Sequence, residues 1–278
     1  MSKTHLNELV AQHKEHLSHI EDPERYGEFL AFLLSQCDYA AGFTGAGFST
    51  ESGIPDYRSS GSLWDKYMPI QYDDFISSEK TRMESWQRKF ELDSIYSAAK
   101  PNLCHKAFSN AVRQGKMQTI ITQNIDGLHQ AAGIPDEKII ELHGNGTYAT
   151  CLSCNRRYEL SDIKAEIEKT GRSPHCSACG GIVKDAIISF GQRMPEDAME
   201  RADKVARSCD FFIAAGSSLV VFPAAGFPVL AKQNGAVLVI LNREPTAVDS
   251  YADLVVHGEL GNILGKLAEC SFNLCEFS

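Results

Sequence analysis

The chain has 278 residues, enough to bury a full core, and its net charge is −9, with 27 Lys and Arg against 36 Asp and Glu. This acidic balance argues against a protein built to bind the nucleic-acid backbone, and no apolar run of about 18 residues is present that could span a membrane. The nine cysteines and the lack of a secretory signal predict a metal site with free thiols. We therefore expect a cytoplasmic protein without direct nucleic-acid binding and leave its oligomeric state open.

The first predicted elements are helices over residues 1–35, followed by a glycine-rich segment that reads GFTGAGFSTESGIPDYR from Gly42 to Arg58. Glycines at this density let the backbone lie close to a phosphate, and the hydroxyls of Ser49 and Thr50 can cap a helix or reach a phosphate oxygen. The pattern G-x-x-G-x-G differs from the standard G-x-G-x-x-G. The segment predicts an atypical dinucleotide loop; a strand-to-helix turn without a ligand is the alternative.

Two short β-rich runs later in the chain each end in polar groups. Gln123, Asn124 and Asp126 follow the run at 119–122, and His143 follows the run KIIEL. In open α/β sheets, ligands bind outside the carboxyl ends of the strands, and these groups suit a ribose and a carboxamide. His143 is a candidate base, although a histidine at a strand end is more often structural.

Two C-x-x-C pairs lie in the middle of the chain, separated by a spacing close to that of zinc ribbons. They are formed by Cys151, Cys154, Cys176 and Cys179. Four thiolates complete a tetrahedral site without an open position, so the predicted zinc is structural. A redox role for either pair is the weaker alternative.

Strand–loop–helix alternation resumes after residue 186 and predicts an α/β fold, a Rossmann-like doubly wound parallel sheet with a small inserted zinc-binding module. We expect one domain over residues 1–278. Its large part spans approximately 36–60, 100–145 and 186–270, the zinc module spans approximately 146–185, and a helical segment with a cofactor loop spans approximately 61–99.

Several stretches, in this order, resemble the sirtuin family: GAGFSTESGIPDYRS, TQNIDGLHQAAG, ELHG, the two C-x-x-C pairs, GSSLVVFPAA and LNREPT. The resemblance covers about residues 35–265 and is most like the class II branch. It implies an NAD-dependent protein-lysine deacylase, of the deacetylase type, that transfers the acyl group to ADP-ribose and releases nicotinamide. The implied partners are acylated proteins or peptides.

The resemblance also implies the site residues. The implied catalytic residues are His143 as general base, Asn124 and Asp126. The implied NAD contacts are Gly45, Ala46, Gly47, Ser49, Thr50, Asp56, Tyr57, Arg58, Gln123, Asn124, Ile125, Asp126, Gly216, Ser217, Ser218, Asn242 and Glu244. The implied substrate contacts are His143, Ile188, Ser189, Phe190 and Gly191.

The chain departs from the family pattern at Ser189 and Gln192, where relatives commonly carry Phe and Glu. The resemblance makes residues 187–192 a strand that would pair with the substrate backbone, so it does not define the peptide preference of this chain. Trp86 and Lys89 lie where other branches read acidic acyl groups, which predicts that such groups are not favoured. Mono-ADP-ribosyl transfer or NAD hydrolysis at the same site is the alternative function. A non-catalytic module or a dehydrogenase is less favoured.

Overall fold

The computed structural model of the chain describes residues 3–17, 22–56, 68–272 and 277. Its main element is a six-stranded parallel sheet with the strand order β3-β2-β1-β7-β8-β9. Its strands are β1 Ala40–Thr44, β2 Met117–Thr122, β3 Ile139–Glu141, β7 Phe211–Ala215, β8 Val237–Asn242 and β9 Leu254–His257. β1, β7 and β8 are apolar along almost their whole length because both faces of the sheet are covered.

Helices cover the two faces of the sheet. The described part of the chain contains the helices α1 Lys3–Leu17, α2 Pro23–Gln36, α3 Tyr72–Ser77, α4 Glu79–Ala98, α5 Leu103–Arg113, α6 Leu128–Ala131, α7 Leu160–Thr170, α8 Glu196–Ser208, α9 Phe227–Gln233 and α10 Leu260–Leu264. One core contains residues of α1, α2, α5 and α10, and the core on the opposite face contains residues of α8 and α9. Successive residues of β7 alternate between the two cores, as Phe211 and Phe212 show, because strand side chains alternate with period two.

A second, smaller sheet is antiparallel and carries the cysteines. It consists of β4 Gly144–Cys151, β5 Arg157–Glu159 and β6 Val183–Ile187, in the order β5-β4-β6. Its core includes Ile163 of α7 and Trp86 of α4, so the long helix α4 packs against this sheet.

The arrangement of strands fixes where a ligand can bind. The chain order reverses between β1 and β7, which are neighbours in the sheet, and the loops that leave their carboxyl ends diverge there.

The predicted fold class, a doubly wound parallel sheet with a small cysteine-bearing insertion, is confirmed. In the described part of the chain, no helix combines the length and the apolar character that crossing a membrane requires.

Candidate active site

The glycine loop after β1 packs directly against the loop that follows β7. The N–H of Gly47 donates a hydrogen bond to the carbonyl oxygen of Gly216 at 2.8 Å. A Cβ atom on Gly216 would lie 2.2 Å from the nitrogen of Phe48, and one on Gly45 would lie 2.7 Å from the Cβ of Ser217. The close approach of the two loops therefore requires glycine at these positions.

The polar groups after β2 form a connected set around Asn124. The amide nitrogen Nδ2 of Asn124 donates to Ser49 Oγ at 3.1 Å, and that hydroxyl donates to Asp126 Oδ2 at 2.7 Å. The other oxygen of Asp126 accepts the N–H of Leu128 at 2.9 Å. Burial raises the pKa of Asp126, and these two hydrogen bonds oppose the rise. The set holds the Asn124 amide in one orientation.

A buried threonine pair behind Asn124 was missed by the sequence analysis. Thr44 Oγ1 lies 2.8 Å from Thr122 Oγ1, which in turn accepts the N–H of Asn124 at 3.0 Å. His129 Nε2 lies 2.9 Å from Thr44 Oγ1. Both threonines are the last residues of neighbouring strands and are paired in register, so the matching strand ends were the available signal.

His143 lies between the two sheets, just after β3 and directly before β4. Its Nδ1 atom is 3.1 Å from the carbonyl oxygen of Gln123, so Nδ1 carries the proton and donates it, which leaves the lone pair on Nε2. Burial lowers the pKa of His143, and the hydrogen bond to Gln123 partly offsets this change. The side chain of Gln123 is itself fixed by Ser217 Oγ at 2.7 Å.

Residues 188–191 follow β6 and form one wall of the site. The N–H of Ile188 donates to the carbonyl oxygen of His143 at 2.8 Å. β6 ends at Ile187, because the Ser189 N–H bonds the side chain of Gln192 at 3.1 Å and the Gln192 N–H bonds the Ser189 carbonyl at 3.0 Å, which folds a turn. The sequence had indicated a strand running through these residues.

Residues from each of these segments line a cleft of about 1060 Å³. The predicted substrate contacts His143, Ile188, Ser189, Phe190 and Gly191 all line it. The predicted NAD contacts that line it are Ala46, Gly47, Thr50, Asp56, Gln123, Asn124, Ile125, Gly216, Ser217, Ser218, Asn242 and Glu244. Gly45, Ser49 and Asp126 lie behind this lining, and Tyr57 and Arg58 lie outside the described residues.

The α4 side of the cleft differs from the prediction. Trp86 is 2% exposed and packs in the core of the small sheet, so it is not a cleft residue. Arg88 and Lys89, on the same helix, do line the cleft. That acidic acyl groups are not favoured stays a prediction from the sequence.

The four predicted zinc ligands converge at the end of the small sheet. The sulfur atoms of Cys151, Cys154, Cys176 and Cys179 all lie within 4.8 Å of one another. The closest pairs are 3.5 and 3.6 Å apart, too far for a disulfide and compatible with one ion about 2.3 Å from each thiolate. The pKa of the Cys176 thiol is lowered to about 6, chiefly by the Tyr158 hydroxyl, which donates to Cys176 Sγ at 3.1 Å. A Cβ on Gly181 would lie 2.9 Å from Cys151 Sγ, so the turn requires glycine. The donor set fits structural zinc.

A doubly wound sheet with a glycine loop at its switch point and a four-cysteine insertion defines an α/β protein with a dinucleotide-type cleft. Its residues 45–223 match the model of the Sir2 family. An NAD-dependent protein deacetylase of Rhodopseudomonas palustris is 50% identical over 86% of this chain and 94% of its own length. NAD-dependent protein deacylase 2 of Archaeoglobus fulgidus is 38% identical over 86% of this chain and 93% of its own length.

Solved structures agree with the sequence relatives. The structure described as "Structural Basis for the Mechanism and Regulation of Sir2 Enzymes" has a TM-score of 0.76 and 37% identity, covering 88% of this chain and 97% of that one. The structure described as "Sir2-p53 peptide-NAD+" has a TM-score of 0.74 and 34% identity, covering 87% and 94%. The chain belongs to the Sir2 family, which confirms the sirtuin resemblance.

Proposed function

We propose that this chain is an NAD-dependent protein-lysine deacylase of the deacetylase type, which transfers an acyl group from lysine to ADP-ribose and releases nicotinamide. The position of His143 carries the proposal. Its ring is bonded to Gln123, which we assign to NAD, and its carbonyl oxygen is bonded to Ile188, which we assign to the peptide. A base at this junction is adjacent to both proposed substrates.

The cleft residues suit NAD. The glycine loop lines the cleft at Ala46, Gly47 and Thr50, and we place the pyrophosphate there because a glycine-rich turn after a strand is a common phosphate site. We assign Ser217, Ser218, Asn242 and Glu244 to the adenosine end, and Gln123, Asn124, Ile125 and Asp126 to the nicotinamide and its ribose. When bound, NAD supplies a ribose C1′ from which nicotinamide departs. The four cysteines hold zinc for structure and take no part in the reaction.

His143 acts as the general base that removes a proton from a ribose hydroxyl. The Gln123 carbonyl fixes the proton on Nδ1, so Nε2 accepts the new proton. Because burial lowers the pKa of His143, the ring is neutral at pH 7 and competent as a base. Asn124, held by Ser49 and Asp126, orients its amide in the same cleft.

The second substrate is an acylated protein or peptide, which we place along Ile188–Gly191. The solved relative described as "Structure of Sir2Tm bound to a propionylated peptide" supports acyl groups other than acetyl. Because Arg88 and Lys89 line the cleft, acidic acyl groups belong among the candidates to be tested. Absence of direct nucleic-acid binding, a cytoplasmic location and class II membership stay predictions from the sequence.

Mono-ADP-ribosyl transfer or NAD hydrolysis at the same cleft is the second candidate function. Both reactions need the residues assigned to NAD but not an acyl-lysine along residues 188–191. The hydrogen bond that joins His143 to Ile188 favours deacylation, because it links the base to the wall assigned to the peptide.

The test combines purified protein, NAD and peptides that carry acetyl, propionyl, succinyl or longer acyl groups on lysine, with mass detection of all products. We expect equal amounts of free lysine and O-acyl-ADP-ribose, and a His143→Ala variant that is slower by at least about 100-fold, the usual contribution of a general base.

A His5→Ala variant on α1, away from the cleft, is the matched control and should keep the wild-type rate. If nicotinamide is released but no peptide yields free lysine, the deacylase proposal is wrong and the activity is ADP-ribosyl transfer or NAD hydrolysis.

A further inference from the structure

Lys184, on β6 between the zinc module and the cleft, has a fully buried charge. Its side chain is 2% exposed, and its ammonium lies 5.7 Å from the ring centre of Phe75 on α3. Nζ donates to Asp185 Oδ1 at 2.8 Å and to the carbonyl oxygen of Ile187 at 2.5 Å. The sequence analysis assigned no role to Lys184.

The two hydrogen bonds around residues 187 and 188 act on the same peptide group. Its carbonyl oxygen, from Ile187, accepts a hydrogen bond from the Lys184 ammonium, and its N–H, from Ile188, donates to the carbonyl oxygen of His143 at 2.8 Å. This peptide group is therefore held on both sides at the point where β6 ends and the cleft wall begins. Its orientation sets the direction in which residues 188–191 leave the sheet.

Stability alone gives little reason to bury this charge. The desolvation of an ammonium and a carboxylate is expensive, and apolar side chains of similar size are often as stable as a buried pair or more so. Asp185 lines the cleft and its side chain is 14% exposed, so the pair lies between the protein interior and the site. A buried donor that reaches one specific carbonyl fixes a geometry that an apolar side chain cannot fix.

We propose that Lys184 is a positioning residue for acyl-peptide binding: its ammonium fixes the 187–188 peptide group and thereby the register of the segment 188–191 against His143. The role in catalysis rests on the proposed deacylase function. Lys184 does not line the cleft and contacts neither substrate; it acts through the main chain of Ile187.

The test separates the two partners of the ammonium. In Lys184→Met the carboxylate of Asp185 loses its partner, which by itself destabilises the protein. The double variant Lys184→Met/Asp185→Asn removes both charges, which restores much of the stability because no unpaired charge is left buried. Asp185→Asn alone shows what the carboxylate contributes. In both Met variants the Ile187 carbonyl has no ammonium donor.

The effects of these variants are measured on the folded protein in two ways, by amide hydrogen exchange and by steady-state kinetics. Relative to Asp185→Asn, the double variant should exchange the Ile188 amide hydrogen at least about tenfold faster, the effect of losing one charge-assisted hydrogen bond. Its KM for an acyl-lysine peptide should rise at least about tenfold, whereas its KM for NAD should change less than about twofold.

A second lysine–aspartate pair provides the control. Lys232 Nζ lies 2.6 Å from Asp253 Oδ1, and this carboxylate also accepts the N–H of Leu238 at 2.8 Å, but neither residue lines the cleft. Lys232→Met/Asp253→Asn should leave both the Ile188 exchange rate and the peptide KM unchanged.

The outcomes separate the inference from the proposed function. If the Lys184→Met/Asp185→Asn variant keeps the Ile188 exchange rate and the peptide KM of Asp185→Asn, then Lys184 only balances Asp185 and the proposal is overturned. If the wild-type protein acts on no acyl peptide, the proposed function fails, and the Ile188 exchange rate still decides whether Lys184 fixes the cleft wall.

Discussion

Gly216 and Gly115 have almost the same backbone conformation but very different surroundings. Their φ values are +67° and +72°, in the region that side chains disfavour. A Cβ on Gly216 would meet the glycine loop at Phe48 N, whereas a Cβ on Gly115 would have no atom within 4 Å. The pair therefore separates the strain of a positive φ from the clash between the two loops.

We predict that Gly115→Ala costs about 1 kcal/mol of unfolding free energy, from backbone strain alone. Gly216→Ala should cost more and should also raise the KM for NAD, because the added methyl group pushes the glycine loop out of position. Urea unfolding and steady-state kinetics check both effects. Equal losses of stability, with an unchanged KM for NAD, would contradict this account.

At the same scale, the sequence identified the residues that line the cleft better than those that support them. Asn124 and His143 were found because polar groups follow short β-rich runs. The pairing of Ser49 with Asp126 joins residues 77 positions apart, and Thr44 with Thr122 joins residues 78 apart. Local patterns carry no information about contacts at that distance.

Among the elements, the junction of α3, α4 and the zinc module depends on one buried arginine. Arg82 donates to the carbonyl oxygens of Phe75 and Ile76, at 3.1 and 2.9 Å, and to Ser173 Oγ at 3.1 Å. Its remaining nitrogen forms an ion pair with Glu79 at 3.0 Å. Arg82 thus ties the last turn of α3 to the segment that precedes the second cysteine pair.

We predict that Arg82→Met costs about 2–4 kcal/mol of unfolding free energy, because three acceptors lose a charged donor in a buried site. Arg207→Met, which removes an exposed ion pair with Asp203, should cost no more than about 0.5 kcal/mol. Denaturant unfolding of the zinc-loaded protein measures both. A similar small loss for the two variants would show that the junction does not depend on Arg82.

The helix α4 shows what an element pattern can and cannot predict. The sequence predicts a helical segment within approximately 61–99, and the structure has a long helix at Glu79–Ala98. Which face of it meets the cleft depends on where the zinc module packs, and Trp86 packs against that module. The order of the six strands is likewise set by packing between distant elements, so the alternation predicted the class of sheet but not its order.

On the scale of the whole molecule, two buried histidines make stability depend on pH. Burial lowers the pKa of His105 to about 4 and that of His129 well below its ordinary value, and their ring centres lie 5.1 Å apart. The unfolded chain binds protons at these residues near pH 6.5, whereas the folded chain does not until the pH is much lower. Their contribution is therefore complete above pH 6.5 and is lost as the pH falls toward 4.

We predict that each of these histidines reduces the unfolding free energy by about 2 kcal/mol between pH 6.5 and pH 5. A His105→Asn variant can keep a donor to Asn102 Oδ1, which His105 Nδ1 contacts at 2.9 Å, and should lose less stability over this interval than the wild type. Urea titrations at several pH values give the unfolding free energy of the wild type and of the variant as a function of pH. If the unfolding free energy has the same slope against pH in both proteins, His105 is not the source of the acid sensitivity.

The adjacency of β1 and β7 also has a consequence for biosynthesis. The N–H of Tyr39, just before β1, is bonded to Asp210, just before β7, across 171 residues of chain. Contacts so distant in sequence form late, because the intervening chain must be ordered first. While the ribosome has made only the first 200 residues, the glycine loop has no Gly216 to pack against. We therefore expect a nascent chain to acquire its dinucleotide site only after the zinc module and β7 have both emerged.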